Sequence, residues 1–214
     1  AVLGDPGSGK TCFVKHEILS YCTAGDTDSW YSQHIPVFVS LAEASKLIGE
    51  SVDMLEICHI QSARRGIDLP KEALQEALAE GHIAFFFDGL DEVGHINKRI
   101  NLMAEIGKLV KSFAHRGNRF VLASRPAAVQ PIDVPDAFTY VQLKGLSENE
   151  MRILAARVMT ARLGDDEEQV LESAESDLIE RLLNDTRNSP GIGRIARNPL
   201  LLTLLVLIYA NTGA

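Results

Sequence analysis

The sequence contains little of what would mark a secreted or membrane-spanning protein, or one that binds a metal through cysteines. Its three cysteines, Cys12, Cys22 and Cys58, are an odd number without the close spacing of metal ligands. We therefore expect reduced thiols in a cytoplasmic protein. The one strongly apolar run, residues 199–210 (PLLLTLLVLIYA), is shorter than the roughly 20 residues that span a bilayer. That run is expected to form a buried core helix.

Positive charge is also scarce. Lys and Arg number 21 against 29 Asp and Glu, which gives a net charge of −8. Because nucleic-acid-binding domains usually carry a basic surface, nucleic-acid binding is not indicated. Membrane binding is not indicated either. A chain of 214 residues that is 46% hydrophobic can bury a substantial core, so we expect an ordinary globular protein.

Glycine is concentrated at the start of the chain, in AVLGDPGSGKT. The spacing G-x-x-x-x-G-K-T is that of a phosphate-binding P-loop, in which backbone N–H groups surround the phosphates. The lysine of such a loop contacts the β and γ oxygens, and its threonine binds Mg²⁺. The residues predicted to contact a nucleotide in this segment are Gly4, Asp5, Pro6, Gly7, Ser8, Gly9, Lys10, Thr11 and Cys12.

Short apolar runs alternate with helical periodicities along the chain, which predicts a parallel sheet with helices on both faces. The predicted strands are residues 1–4, 36–41, 83–88, 119–124 and 139–143. The third strand is apolar up to its last residue, as expected for a central strand, whereas the second and fifth are expected at the edges. A helix after the glycine-rich loop is predicted to present Phe13, Val14, Ile18 and Leu19 on its apolar face.

Further helices are predicted from periodicity and end signals. Pro70 and Gly81 are expected to begin and end one helix, and Ser147 with Glu150 forms a capping-box pattern. From there the sequence is helical throughout, and we interpret the acidic cluster at 165–168 as exposed surface at a helix start. A longer helix is predicted to bury a stripe of Ile96, Ile100, Met103, Ile106, Val110 and Phe113.

Acidic residues follow the third predicted strand in FFFDGLDEV. Asp88 is expected at the carboxyl edge of the sheet, where ligands of such sheets bind, and there it would hold Mg²⁺ through a water opposite Thr11. Asp91 or Glu92, with Glu92 preferred, would orient or deprotonate the attacking water. Either acid could instead cap a helix that begins near residue 93.

Two motifs that contain proline complete the set. In Ser124-Arg125-Pro126, the proline excludes helical geometry at Arg125, whose guanidinium would contact a γ-phosphate at the same sheet edge. The alternative is a plain surface arginine. Asn198 and Pro199 predict the N-cap and the first residue of the apolar helix.

These motifs resemble those of the NACHT domain, the NTPase module of the STAND branch of P-loop proteins, found in animal innate-immune receptors and bacterial antiphage proteins. The resemblance rests on GDPGSGKT, FFFDGLDE, SRP and NPLLLTLL. It implies an α/β fold of the AAA-like (ASCE) P-loop type, a three-layer sandwich with a five-stranded parallel sheet in the order 5-1-4-3-2. A P-loop subdomain is expected at 1–145, truncated at its start, and a small helical subdomain at 146–214, truncated at its end.

The resemblance also implies roles for the matching residues. Asp88 would bind Mg²⁺, Glu92 would be the hydrolytic base and Arg125 would be the sensor of the γ-phosphate. Pro199 would line the adenine pocket. The implied cofactors are ATP or ADP with Mg²⁺, and the preference for ATP over GTP comes from the resemblance alone. Effector and sensor domains are expected in the same longer polypeptide.

The expected function is a slow ATP-hydrolysing switch of an immune-defence protein, in which exchange of ADP for ATP controls homo-oligomerisation. Two alternatives are an AAA-type motor or loader, and a scaffold that keeps its nucleotide without hydrolysing it. A small GTPase is disfavoured because NKRI at Asn97 lacks the aspartate of the guanine-reading N-K-x-D pattern. A small-molecule kinase remains open, although no acceptor site can be identified.

Overall fold

The computed structural model describes residues 1–24, 30–47, 53–130, 132, 138–163 and 171–212. The chain divides into two compact units. The first comprises Ala1–Asp5 and Lys10–Gln142, and the second comprises Pro6–Gly9 and Leu143–Ala214. The acidic cluster at 165–168 lies outside the described residues.

The first unit is built on a five-stranded parallel sheet in the order β2-β3-β4-β1-β5. This confirms the predicted order, read from the opposite edge, and the predicted edge positions of the second and fifth strands. The third and fourth strands have the predicted bounds, whereas the others are shorter or shifted. The strands are β1 (Val2–Leu3), β2 (Ile35–Ser40), β3 (Ile83–Asp88), β4 (Arg119–Ser124) and β5 (Val141–Gln142).

Strand β3 is buried along its whole length, as its unbroken apolar sequence predicts. Because successive side chains of a strand alternate between faces, its phenylalanines contribute to both sides of the sheet. The rings of Phe85 and Phe87 stack on one side with centroids 5.4 Å apart. On the other side Phe86 meets Tyr21 edge to face at 5.6 Å. One strand therefore joins both cores of the unit.

Helices cover both faces of the sheet, which gives the predicted three layers. The helix α1 (Lys10–Thr23) packs on one face, through Val14 and Tyr21, against Ala84 and Phe86. The other face carries the larger core, to which the remaining helices of the unit contribute. They are α2 (Leu41–Leu47), α3 (Met54–Arg64), α4 (Lys71–Glu80), α5 (Ile96–Phe113) and α6 (Pro126–Val129).

The ends of α4 are as predicted. Pro70 precedes its first residue, and Gly81 follows its last residue in the left-handed conformation, with φ of +86°. Glycine is required at this position because a Cβ would lie 2.0 Å from the carbonyl oxygen of Arg116.

The apolar faces predicted for α1 and α5 are confirmed only in part. In α5, Ile96 and Ile100 are exposed. At 3.6 residues per turn they lie about 80° and 120° around the helix axis from Ile106, at the centre of the buried face. In α1, Leu19 is exposed because the buried face runs through Val14 and Tyr21. The residues that α5 buries are Leu102, Met103, Ile106, Leu109 and Val110.

The second unit is helical. The predicted capping box is present, because Glu150 Oε2 accepts from the backbone N–H of Ser147 at 2.7 Å while Ser147 Oγ accepts from that of Glu150 at 3.4 Å. Buried side chains such as Leu182 and Leu202 form a separate core. The helices are α7 (Glu148–Leu163), α8 (Leu171–Asn188), α9 (Pro190–Ala196) and α10 (Pro199–Thr212).

The prediction of a buried core helix at residues 199–210 is confirmed only in part, because the helix forms but is buried on one side alone. Helix α10 is apolar around most of its circumference, but only one side packs into the core, through Leu202 and Val206. Leu200 and Leu204 are among its exposed side chains. In the described part of the chain no single helix is long and apolar enough to cross a bilayer. Helix α9 and residues Pro199–Asn211 have that length and composition together, but the two are bent by 114° relative to each other.

Asn118 connects three elements of the first unit and supplies a test of the fold. Its Oδ1 accepts from the backbone N–H of Ile83 at 3.0 Å, at the start of β3. Its Nδ2 donates to the carbonyl oxygens of Leu78 at 2.8 Å and Phe113 at 3.0 Å. The side chain therefore pairs three backbone groups near the ends of β3, α4 and α5.

We predict that Asn118→Leu lowers the free energy of unfolding by about 3 kcal/mol or more, because it leaves buried backbone groups unpaired. Urea denaturation measures the change. Asn101→Leu, the same substitution at an exposed position of α5, should change stability by no more than about 0.5 kcal/mol. Equal stabilities of the two variants would contradict the prediction.

Candidate functional site

Lys10 is the first residue of α1 and folds back over the start of the glycine-rich loop. Its Nζ donates to the carbonyl oxygens of Gly4 at 2.8 Å and Asp5 at 3.1 Å. Gly4 is itself held to the sheet, because its N–H donates to the carbonyl oxygen of Ser124 at 3.2 Å. The sequence places this ammonium group at the start of a helix, where anions are also favoured.

Thr11 and Asp88, the two predicted metal ligands, are in direct contact. Thr11 Oγ1 donates to Asp88 Oδ2 at 2.8 Å, although the residues are 77 positions apart. Asp88 is the last residue of β3, and the parallel register aligns it with Ser40 of β2 and Ala123 of β4. A hydroxyl and a carboxylate are oxygen donors of the kind that Mg²⁺ prefers, so this pair fits the metal.

Asp91 lies in a short 3₁₀ turn, Leu90–Glu92, that follows Gly89. Its Oδ2 is 2.7 Å from the Nε of Arg125, and its Oδ1 accepts from the backbone N–H of the same residue at 3.3 Å. Arg125 has the extended conformation expected before Pro126, with φ of −78° and ψ of 146°. The structure thus brings Asp91 and Arg125 together.

Glu92 is exposed, and its carboxylate lies beside Gly89. A Cβ at Gly89 would be 3.3 Å from both Cδ and Oε2 of Glu92, and Gly89 has a φ of +82° that favours glycine. The idea that an acid caps a helix near residue 93 is wrong. Helix α5 begins at Ile96, and no side chain caps its first turn. Residues 93–95, which are not helical, separate Asp91 and Glu92 from the start of the helix.

Within the second unit, the middle of the glycine-rich loop is bonded to the start of α10. Asn198 Nδ2 donates to the carbonyl oxygen of Pro6 at 2.7 Å, and the N–H of Leu200 donates to that of Gly7 at 3.3 Å. Asn198 Oδ1 also accepts from the N–H of Leu201 at 3.2 Å, which confirms the predicted N-cap before Pro199.

The second role of Asn198 was not predicted from the sequence. Aspartate and asparagine both serve as N-caps, but only the amide adds an N–H donor for Pro6. The choice of asparagine at a cap was the one signal that could have suggested it. Gly7, with φ of +74°, lies so close that a Cβ there would be 2.7 Å from Asn198 Oδ1.

The other predicted loop residues have distinct surroundings. Ser8 Oγ is buried and has no hydrogen-bond partner among the residues that the structure describes. A buried hydroxyl without a partner is unfavourable, and a bound ligand would relieve it. Gly9 has φ of +91° and open space where a Cβ would lie. Cys12 is exposed on the first turn of α1.

Comparison with known proteins agrees with this geometry. The sequence matches the family model described as NACHT domain over residues 1–162. The chain belongs to the NACHT family. NACHT domains are P-loop NTPases, and the parallel sheet with flanking helices is the fold of that class. The matched NACHT region includes the five strands β1 to β5 and the acidic and arginine motifs, whereas Pro199 lies beyond it. No curated protein matches the chain.

Asn198 supplies a test of the contacts around the loop of this NACHT domain. We predict that Asn198→Asp, which keeps the cap but loses the donor to Pro6, lowers the free energy of unfolding by about 1 kcal/mol. Asn198→Ala loses both and should lower it by about 2 kcal/mol. Urea denaturation distinguishes the three proteins, with Asn149→Ala at an exposed position of α7 as the control. A fully stable aspartate variant would contradict the role of the Pro6 contact.

Proposed function

We propose that this NACHT domain is an ATP-binding and ATP-hydrolysing switch, in which exchange of ADP for ATP controls homo-oligomerisation of a longer immune-defence protein. The observation that carries the proposal is the 2.8 Å hydrogen bond between Thr11 and Asp88. It joins the end of the glycine-rich loop to the end of β3, which is the pairing that a nucleotide–Mg²⁺ site requires. Membership of an NTPase family supports the same reading.

The loop and its lysine would bind the phosphates. Lys10 Nζ donates to two loop carbonyl oxygens, which leaves one of its three N–H donors for a β or γ oxygen. Gly7 and Gly9 adopt positive φ, so the backbone can approach a phosphate that a Cβ would keep away. Thr11 and Asp88 would hold Mg²⁺, which when bound neutralises charge on the β and γ phosphates.

Residues after β3 and β4 would act on the γ-phosphate. The exposed carboxylate of Glu92 would orient the attacking water and accept its proton, with Asp91 as the alternative base suggested by the sequence. Arg125 would contact the γ-phosphate and so respond to its presence. Pro199, at the start of α10, would line the adenine pocket.

The contacts of the loop support a switch. Pro6 and Gly7 are hydrogen-bonded to Asn198 and Leu200, so part of the loop belongs to the same compact unit as the helices α7 to α10. A nucleotide that orders the loop would therefore also act on the helical unit.

A cytoplasmic location is part of the proposal, and the exposed, unpaired thiols of Cys12 and Cys22 support a reducing compartment.

Nucleotide binding is tested by thermal melting with Mg²⁺ and ADP, ATP or GTP. We predict that an adenine nucleotide at about 100 times its dissociation constant raises the melting temperature by roughly 5–10 °C, from about 2.7 kcal/mol of stabilisation. Lys10→Ala should abolish the rise, whereas Lys15→Ala, an exposed lysine of the same helix, should keep it. No rise with any nucleotide would argue against the proposed function.

Hydrolysis is tested by phosphate release at saturating ATP. We predict that Glu92→Gln lowers kcat at least about 100-fold, because it removes the general base, while stabilisation by ADP is retained. Glu76→Gln, at an exposed position of α4, is the matched control. Removal of Mg²⁺ with EDTA should stop turnover in all three proteins. A Glu92→Gln variant with normal turnover would contradict the assigned base, and rapid turnover would favour a motor over a switch.

A further inference from the structure

The two carboxylates that follow Gly89 have different surroundings. Both oxygens of Asp91 engage Arg125: Oδ2 forms an ion pair with the guanidinium Nε at 2.7 Å, and Oδ1 accepts from the backbone N–H at 3.3 Å. The carboxylate of Glu92 is exposed and makes no hydrogen bond or ion pair with the described residues. A carboxylate whose two oxygens already engage an arginine is less free to contact an attacking water. Glu92 is therefore the better placed base.

The ion pair of Asp91 and Arg125 differs from an ordinary surface pair. Fully exposed pairs contribute little because water screens both charges. Here the Asp91 side chain is 11% exposed and that of Arg125 is 48% exposed, so the carboxylate end of the pair is shielded. Asp91 also holds the backbone of Arg125, at the point where β4 ends and α6 begins. Asp91 thus fixes both the backbone position of Arg125 and the direction in which its side chain extends.

The contact leaves part of the guanidinium available. Arginine carries five N–H donors in a planar fork, and Asp91 engages the Nε. The Nη1 and Nη2 atoms, which form the outer edge of the fork, have no hydrogen-bond partner in the described part of the chain. Such an edge suits bidentate binding of a phosphate. An arginine that is already anchored loses less conformational freedom when a ligand binds.

We propose that Asp91 is a positioning residue that holds Arg125 ready for the γ-phosphate, and so lets the site discriminate a nucleoside triphosphate from a diphosphate. In this assignment Asp91 is not the hydrolytic base. The inference rests on the proposed function, because it requires that a nucleotide binds at the glycine-rich loop with its γ-phosphate within reach of Arg125.

A double-mutant cycle tests the inference. Dissociation constants for ADP and for the non-hydrolysable ATP analogue AMP-PNP are measured by calorimetry with Mg²⁺. The proteins are the unsubstituted chain, Asp91→Asn, Arg125→Gln and the double variant. Each single substitution should weaken AMP-PNP binding about tenfold and leave ADP binding within about twofold. The double variant should bind AMP-PNP no more weakly than Arg125→Gln, because Asp91 acts through Arg125.

Further variants separate positioning from charge, structure and catalysis. Asp68→Asn removes an exposed negative charge elsewhere in the same unit and should change neither constant. Asp91→Glu keeps the charge and should retain most of the preference for AMP-PNP. At saturating ATP, Asp91→Asn should lower kcat no further than Arg125→Gln does, whereas Glu92→Gln should lower it much further. If Asp91→Asn does not fold, Asp91→Ser replaces it with the same expectations.

Several results would overturn the inference. An unchanged ratio of the two dissociation constants in Asp91→Asn, or additive losses in the double variant, would show that Asp91 does not act through Arg125. Loss of turnover in Asp91→Asn but not in Arg125→Gln would make Asp91 the base. If the unsubstituted chain binds ADP and AMP-PNP but these patterns fail, only the inference is wrong. If it binds neither, the proposed function is wrong and the inference fails with it.

Discussion

Parallel pairing of β3 with β4 and of β4 with β1 is the constraint on which the rest of the first unit depends. It brings the carboxyl ends of three strands into one row, in which Asp88 pairs with Ala123 and Ala123 pairs with Val2. Residues that follow these strands then meet although they are distant in sequence. The contacts of Thr11 with Asp88 and of Asp91 with Arg125 both result from this row.

Strand β3, at one end of that row, is held by its own side chains. Phenylalanines at 85, 86 and 87 fill both faces of the sheet, so a shift of β3 by one residue would exchange the rings that face the two cores. Asn118 adds a polar connection at the start of the strand. The position of Asp88 at the other end is thus set by packing along the whole strand, rather than by contacts at the site alone.

The sequence predicted best the features that depend on local patterns. The bounds of β3 and β4, the end of α4 at Gly81 and the capping box at Ser147 all follow from residue order alone. The buried faces of α1 and α5 were predicted only in part, and the exposed side of α10 was not predicted, because apolar side chains extend beyond the face that packs.

The contacts of individual site residues were less predictable. The motifs indicated which residues belong near the carboxyl edge, but not that Asp91 would engage Arg125 while Glu92 stays exposed. Nor did any pattern indicate that Asn198 would bond Pro6. These pairings depend on how distant segments meet in the fold, which periodicity does not encode.

The bonds that Pro6 and Gly7 accept also determine where the next amides point. In a planar trans peptide the carbonyl and the N–H that follows it are directed oppositely, and no peptide in the described chain is cis. Because Asn198 and Leu200 take the two carbonyl oxygens, the N–H groups of Gly7 and Ser8 are turned to the opposite side. The first turn of α10 thereby gives one side of the loop a partial positive charge and removes the negative oxygens from it.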